Sequence, residues 1–353
     1  MPLLPSSTTQ SFSQRLVAWH RVHGRHDLPW QGQDAYRVWL SEIMLQQTQV
    51  STVIPYYLRF IAVFPDIETL AGASEEQVLA HWSGLGYYAR GRNLHRAARI
   101  MVERHSGEFP CRIADILALP GIGRSTAAAI CALAYHQRQA ILDGNVRRVL
   151  ARYCGIEGWT GRRQVEEQLW QHAEAMLPAQ DVALYTQGLM DLGATVCVRG
   201  CPKCAVCPLR SDCNALRTER TRVLPTPRPG KIVHERRAAF LMVLHDHDIL
   251  LEKRPPGGIW GGLWCLPEMD RAEETNFMQR NGLVACGRNE QPPFIHTFTH
   301  FRLQITPVLL RVAGKPLLAG EQGSQWADLR AALQMAIPAP VRRLLLGLAH
   351  EST

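Results

Sequence analysis

Over roughly the first 216 residues, apolar positions recur every three or four places. "AYRVWLSEIMLQQTQVSTVIPYYLRFIAVF", "RNLHRAARIMVERH" and "RRQVEEQLWQHAEAML" all read as amphipathic helix. Strand-like alternation is scarce there. The stretch "RTERTRVLPTPRPGKIVHERR" then breaks the pattern with three prolines, seven Lys or Arg and two Glu, and reads as an exposed connector. After it the texture changes. "AAFLMVLH" and "DILLEKR" flank Asp246-His247-Asp248 as a hairpin, and "HFRLQITPVLLRV" alternates like a further strand. "PAPVRRLLLGLAH" closes the chain as a helix, with Pro338 and Pro340 near its start. The pattern predicts a mainly helical domain over 1–216, a basic connector over 217–237 and an α+β domain over 238–353.

Composition sharpens this. A chain of 353 residues accommodates two domains, and 46% hydrophobic with 20% charged residues is a folding composition. The net charge of +8 favours a polyanionic partner. No apolar run is long enough to span a membrane, and "MPLLPSSTTQSFSQ" lacks the basic start and apolar core of a secretory signal. Ten cysteines without an export signal point to reduced thiols or metal ligation.

Two motifs carry chemistry. In "LPGIGRSTAAAI", Pro120 closes an apolar run and Gly121 and Gly123 permit positive φ. A helix over 124–135 follows, so its bare N-terminal amides face an anion, phosphate above all. An ordinary helix corner is the plainer alternative. In "CVRGCPKCAVCPLRSDC", Cys197, Cys204, Cys207 and Cys213 stand at C-x6-C-x2-C-x5-C, with Cys201 inside the window. Four thiolates so close can wrap one metal centre, and chemistry alone leaves zinc and an iron–sulfur cluster both open.

The two motifs together resemble the iron–sulfur helix-hairpin-helix DNA glycosylases, the endonuclease III superfamily. The resemblance implies a [4Fe–4S] cluster on Cys197, Cys204, Cys207 and Cys213, with Cys201 a bystander. It also implies that Leu119, Gly121, Gly123 and Ser125 mark the hairpin that grips DNA phosphates.

Cleaving an N-glycosidic bond calls for an acid to help the base leave and an anion to steady the sugar cation. Asp143, in "AILDGNVRRVL", precedes a helix and suits an N-cap. In the superfamily, an Asp about twenty residues past the hairpin is the catalytic carboxylate, and Asp143 stands there. Glu42 sits among Trp39, Leu40, Ile43 and Met44, which predicts a raised pKa. On a continuous helix it would share a face with Gln46 and Gln49.

"SEIMLQQTQV", "LPWQ", "GLGYYARGRNLH" and "YTQGLMDLGATVC" narrow the resemblance to adenine DNA glycosylases of the MutY type. That family implies that Glu42 protonates adenine and that Asp143 stabilises the sugar cation. It implies Gln47 and Tyr87 as wedges filling the duplex, and Arg25, Trp30 and Gln187 as adenine-pocket residues. Ser125 stands where strand-nicking relatives carry lysine, so base removal without a lyase step is expected. "LLEKRPPGGIWGGLWCLPE" and "HTFTHFRLQITPV" resemble the Nudix-like domain such enzymes append to read 8-oxoguanine. Gly262 and Glu268 keep only the first part of the Nudix box, and Asn276 and Phe277 replace its next Arg and Glu. Reading rather than hydrolysis is therefore implied, through Phe298, Thr299 and His300, where the family has Phe-Ser-His. The expected partner is duplex DNA with A:8-oxoguanine or A:G mispairs, bound by a monomer without membrane association. In a bacterium the location would be cytoplasmic and nucleoid-associated. The competing expectations are a glycosylase–lyase like endonuclease III and a non-catalytic DNA-binding protein.

Overall fold

The protein, a computed structural model, is described over residues 10–230, 234–316 and 323–351. Its contacts divide it into two units: Met1–Glu68 with Arg96–Gly230, and Thr69–His95 with Lys231–Thr353.

The helices run α1 (Phe12–His23), α2 (Ala35–Leu45), α3 (Val50–Val63), α4 (Ile67–Gly72), α5 (Glu75–Trp82) and α6 (Ala89–His105). They continue with α7 (Ile113–Leu117), α8 (Arg124–Tyr135), α9 (Gly144–Cys154), α10 (Arg163–Ala175) and α11 (Val182–Asp191). A π-helical turn over Leu192–Val196 and a short α12 (Asn214–Arg217) complete this part. Polar side chains set the starts. Ser11 and Gln14 form a capping box on α1, and Asp34 caps α2 through the Arg37 amide at 2.9 Å. Helix α8 lies at the heart of the first unit. Its buried Ala127–Ala132 run is small enough for α2 and α11 to pack closely on it. Around it Leu16, Val146, Leu150, Leu169, Tyr185 and Leu189 fill one core.

The long periodic stretch from Ala35 onward is two helices rather than one. The chain breaks over 46–49, where Gln47 adopts φ +58° and Gln49 begins α3. Gln49 therefore leaves the face of α2 that carries Glu42.

In the second unit, β1 (His234–His245), β2 (Asp248–Lys253), β3 (Trp264–Cys265) and β4 (Glu268–Met269) precede α13 (Glu274–Arg280). Then come β5 (Ala285–Glu290), β6 (Phe294–Thr297), β7 (Phe301–Val312), β8 (Ser324–Asp328), α14 (Leu329–Ala332) and α15 (Ala339–Glu351). The sheet order is β3-β2-β1-β7-β5, with β4 on β1, β6 on β7 and β8 on β2. Strands β1 and β7 run parallel, from His234 opposite Phe301 to Leu244 opposite Arg311, and the other pairs are antiparallel. The run Ala238–Leu244 is buried throughout, as a central strand covered on both faces requires.

Helix α5 and the start of α6 belong to this second unit. Ser83 Oγ donates to the Ile337 carbonyl (2.6 Å), Trp264 Nε1 to Glu76 (2.6 Å) and Arg92 to the Gly261 carbonyl (2.6 Å). The basic segment after α12 begins as part of the first unit. Leu224 is buried, its carbonyl accepts from Arg152 Nε (2.8 Å), and Thr226 Oγ1 accepts from the Gly158 amide (3.0 Å). Among the described residues, no helix is long and apolar enough to cross a membrane.

One close approach fixes the start of α9. A Cβ added to Gly193 would lie 2.5 Å from Asn145 Cβ and 3.1 Å from its Cα. Gly193→Ala is expected to lower stability by about 1–3 kcal/mol in a thermal melt, the cost of overpacking. Gly72→Ala, with nothing within 4 Å of the new methyl, should stay within about 0.5 kcal/mol of wild type.

Candidate active site

The hairpin between α7 and α8 turns at Gly121, whose φ of +82° is open to glycine and costly for other residues. Gly123 differs from expectation. It is extended at φ −95° and serves as the N-cap of α8, with no side chain closing that end. Its value is space, because a Cβ there would meet nothing within 4 Å. An anion can thus approach the free amides of α8 directly. Leu119 and Ile122 are buried and anchor the turn from below. From the C-cap of α2, Gln46 Nε2 reaches the Gly121 carbonyl (3.3 Å) and Thr126 Oγ1 (3.4 Å). Ser125 Oγ accepts from the Leu142 amide at 3.0 Å, tying the hairpin to the residue before Asp143.

Asp143 is the N-cap of α9, its Oδ1 taking the Val146 amide at 2.7 Å. Burial pushes its carboxyl up, while amide hydrogen bonds from Val146 and Asn145 and the charges of Arg148 and Arg147 oppose that rise. Glu42 lies on α2 in a run where Trp39, Leu40, Ile43 and Met44 are buried. Burial first, and the nearby Asp143 charge second, push its carboxyl up to about 8. The two acids therefore differ in kind. Cap hydrogen bonds and arginines favour the anion of Asp143, and burial beside that charge favours the protonated form of Glu42.

Arg25 and Gln187 come together on a residue that sequence reasoning missed. Asp191, 1% exposed, accepts from the Arg25 amide (2.8 Å), Arg25 Nε (2.8 Å), Arg25 Nη2 (2.6 Å) and Gln187 Nε2 (2.9 Å). Burial alone would raise its pKa, yet the His20 ring at 3.3 Å and the hydrogen bonds from Arg25 and Gln187 hold it below the usual range. Trp30 is buried and meets Tyr57 edge-on at 5.3 Å. Gln47 and Tyr87 are both exposed and both left-handed, at φ +58° and +48°. Non-glycine residues held there are strained, and such strain gathers at functional positions. Beneath Tyr87, the Arg90 guanidinium lies 5.3 Å from the ring and donates to the Leu85 and Gly86 carbonyls.

Cys197, Cys204, Cys207 and Cys213 line one cavity with Arg152, Val196 and Leu216, whereas Cys201 is exposed and outside it. Among the described residues, no group of three or more His, Cys, Asp or Glu side chains is placed to hold a single metal ion. Arg148 and Arg152, also missed, join this loop to α9. Arg148 donates to the carbonyls of Cys197 (2.7 Å) and Gly193 (2.7 Å), and Arg152 to those of Val198 (2.7 Å) and Arg199 (3.1 Å). Their i,i+4 spacing on the apolar side of "NVRRVLAR" was the available signal.

In the second unit, Phe298, Thr299 and His300 form the tip between β6 and β7, closed by the Phe298 amide on the Phe301 carbonyl (2.9 Å). Thr299 and His300 are exposed and Phe298 is half-buried.

Residues 40–175 match the HhH-GPD superfamily of base excision DNA repair proteins, and residues 238–347 match the NUDIX domain. The adenine DNA glycosylase of Buchnera aphidicola subsp. Acyrthosiphon pisum (strain APS) is 37% identical over 341 residues, covering 96% of this chain and 97% of its own. The chain belongs to the adenine DNA glycosylase family. The glycosylase is also similar to a thermostable thymine-DNA glycosylase, at 28% identity and TM-score 0.54 over 59% of this chain and 95% of that one. A non-covalent endonuclease III–DNA complex shares the fold, at 18% identity and TM-score 0.51 over 59% of this chain and 94% of that one. The helix-hairpin-helix architecture, the Nudix-like domain and the standing of this glycosylase as a base-excision enzyme follow together.

The Glu42 carboxyl gives this glycosylase a distinctive pH dependence. A glutamate released by unfolding ionises near 4.5, while the folded one holds its proton to about 8. Between those values the folded state carries the extra proton, so stability falls as pH rises, by at most about 1.4 kcal/mol per pH unit from this group. Glu42→Gln should abolish that contribution. Urea melts across the range are expected to show the variant gaining on wild type up to about pH 8 and running parallel above it. Equal slopes throughout would contradict the protonated state.

Proposed function

We propose that this glycosylase removes adenine standing opposite 8-oxoguanine or guanine in duplex DNA, by acid-assisted hydrolysis without a lyase step. The observation that carries it is the pairing of a proton-holding Glu42 with a better-stabilised Asp143 carboxylate. In this reading the free amides of α8 bind backbone phosphate. Gln47 and Tyr87 fill the gap left as adenine swings out, offsetting part of the few kcal/mol that flipping costs. Arg25 and Gln187, oriented by Asp191, and Trp30 receive the base. Glu42 gives its proton to a ring nitrogen as the N-glycosidic bond breaks. Asp143 steadies the sugar cation, water adds to the anomeric carbon, and the water proton returns to the carboxylate pair. Ser125 is engaged with the Leu142 amide and has no amine to form an imine. Both carboxylates belong to one chain, so a monomer suffices.

Four thiols lining one cavity, with Cys201 outside it, support the family's [4Fe–4S] cluster on Cys197, Cys204, Cys207 and Cys213. A [4Fe–4S] cluster bound there would cross-link the loop and lend it a redox centre. Through Arg148 and Arg152 that loop then supports α9, while Arg199, Lys203 and Arg210 add positive charge for DNA. Thr299 and His300 read the damaged base from the exposed hairpin tip, with Thr retaining the hydroxyl of the family's Ser.

Single-turnover assays on an A:8-oxoguanine duplex test the chemistry. Glu42→Gln should bind normally and cleave about 10²-fold or more slowly, the usual worth of one acid–base group. Asp143→Asn is the more telling variant, because asparagine caps a helix as well as aspartate and only the charge is lost. It too should slow cleavage far more than it weakens binding. Collapse of affinity with a normal rate for bound complex would reduce Asp143 to a cap. Borohydride should trap no protein–DNA adduct in this pocket.

A further inference from the structure

The hairpin tip of Phe298–His300 is held by rings from its own strands and by one from outside them. Phe298 lies flat on Phe301, with centroids 4.4 Å apart and planes 9° from parallel. Two more rings close on it: the His296 edge at 4.7 Å and the Trp260 indole at 5.2 Å. Trp260 also contacts His296 at 5.7 Å and Phe240, in the middle of β1, at 6.1 Å. It thus connects the buried centre of the sheet to the tip.

Trp260 reaches that position at a conformational cost. Its φ is +57°, a region that bulky residues avoid, and its side chain is nevertheless 8% exposed. The neighbouring Gly261 explains how. A Cβ there would sit 2.4 Å from the Pro256 carbonyl oxygen, so the "PPGGIWGG" loop folds back on its own prolines and turns the indole inward. A strained aromatic anchored on the sheet and pressed against an exposed tip suits a support for that tip.

We propose that Trp260 is a positioning residue for recognition of the damaged base. It clamps Phe298 against Phe301 and so fixes the direction in which the Thr299 hydroxyl is presented. The inference rests on the reading of Thr299 and His300 as lesion-facing groups. Trp260 itself contacts no DNA in this scheme and takes no part in breaking the glycosidic bond.

The test uses the full-length, cluster-loaded enzyme. Single-turnover excision is measured on A:8-oxoguanine and A:G duplexes for wild type, Trp260→Leu, Trp260→Phe, Thr299→Ala and the Leu/Ala double variant. Trp260→Leu should lower the preference for A:8-oxoguanine by about tenfold, equivalent to one polar contact, and leave the A:G rate unchanged. Trp260→Phe, with a smaller ring, should lose part of that preference. The double variant should be no worse than Thr299→Ala alone, since support is worthless once the supported hydroxyl is gone. If Thr299→Ala lowers the preference and a folded Trp260→Leu does not, Trp260 has no positioning role. Additive losses in the double variant would likewise overturn the proposal in favour of a general packing role. If Thr299→Ala leaves the preference intact, the lesion-reading assignment of the tip fails, and this proposal with it. Should Trp260→Leu melt below the assay temperature, Trp260→Phe decides: a partial loss that vanishes in the Thr299→Ala background supports the clamp, and no loss overturns it.

Discussion

Two buried guanidinium groups on one helix hold the first unit's chemistry in place. Arg148 and Arg152 are 9% and 2% exposed, and a charge taken that far from water is costly unless its hydrogens find acceptors. Here the acceptors are mostly backbone carbonyls, at Gly193, Cys197, Val198, Arg199 and Leu224. The need to satisfy two guanidinium groups therefore dictates the path of the cysteine loop and of the segment beyond α12. It also fixes α9, whose first turn is capped by Asp143. Movement of any one partner would leave a buried donor unpaired, so these segments shift together or not at all.

Upon that frame the two carboxylates are set apart by their surroundings. Asp143 has amides and arginines to favour its anion, while burial disfavours the anion of Glu42. Proximity adds a further bias, because one negative charge discourages the next. The two surroundings thus set the carboxyls on different footings: burial raises both, and cap hydrogen bonds and arginines oppose the rise at Asp143.

Much of this was legible in the residues, because the signals were local. Glu42 among apolar neighbours, Asp143 before a helix, the glycines of the hairpin and the four cysteines all lie within short windows. Helix α8 and the β1–β2 hairpin were equally plain, from alanine periodicity and a polar turn between two apolar runs. The break at 46–49 was not, since Gln46, Gln47, Thr48 and Gln49 include no Gly or Pro to mark a turn and the strain at Gln47 has no local signature. Asp191 escaped for another reason: its partners, Arg25 and Gln187, are far apart in sequence or one helical turn away. Short strands such as β3, β4 and β8 carry too few residues to show alternation. The placing of Thr69–His95 with the C-terminal region depends on hydrogen bonds spanning most of the chain.

Those long-range bonds bear on how the polypeptide is made. Ser83 and Ile337 are 254 residues apart, and Glu76 waits for Trp264 across 188. A ribosome adding about 5–20 residues per second would expose the early segment for roughly ten seconds to nearly a minute before its partner emerges. Throughout that interval Val78, Leu79 and Trp82, all buried at the end, have lost no water to the sheet they will join. The second unit thus cannot be completed from the N-terminus outward. Its assembly waits for residues as late as Ile337, and until then the nascent chain carries this amphipathic segment exposed.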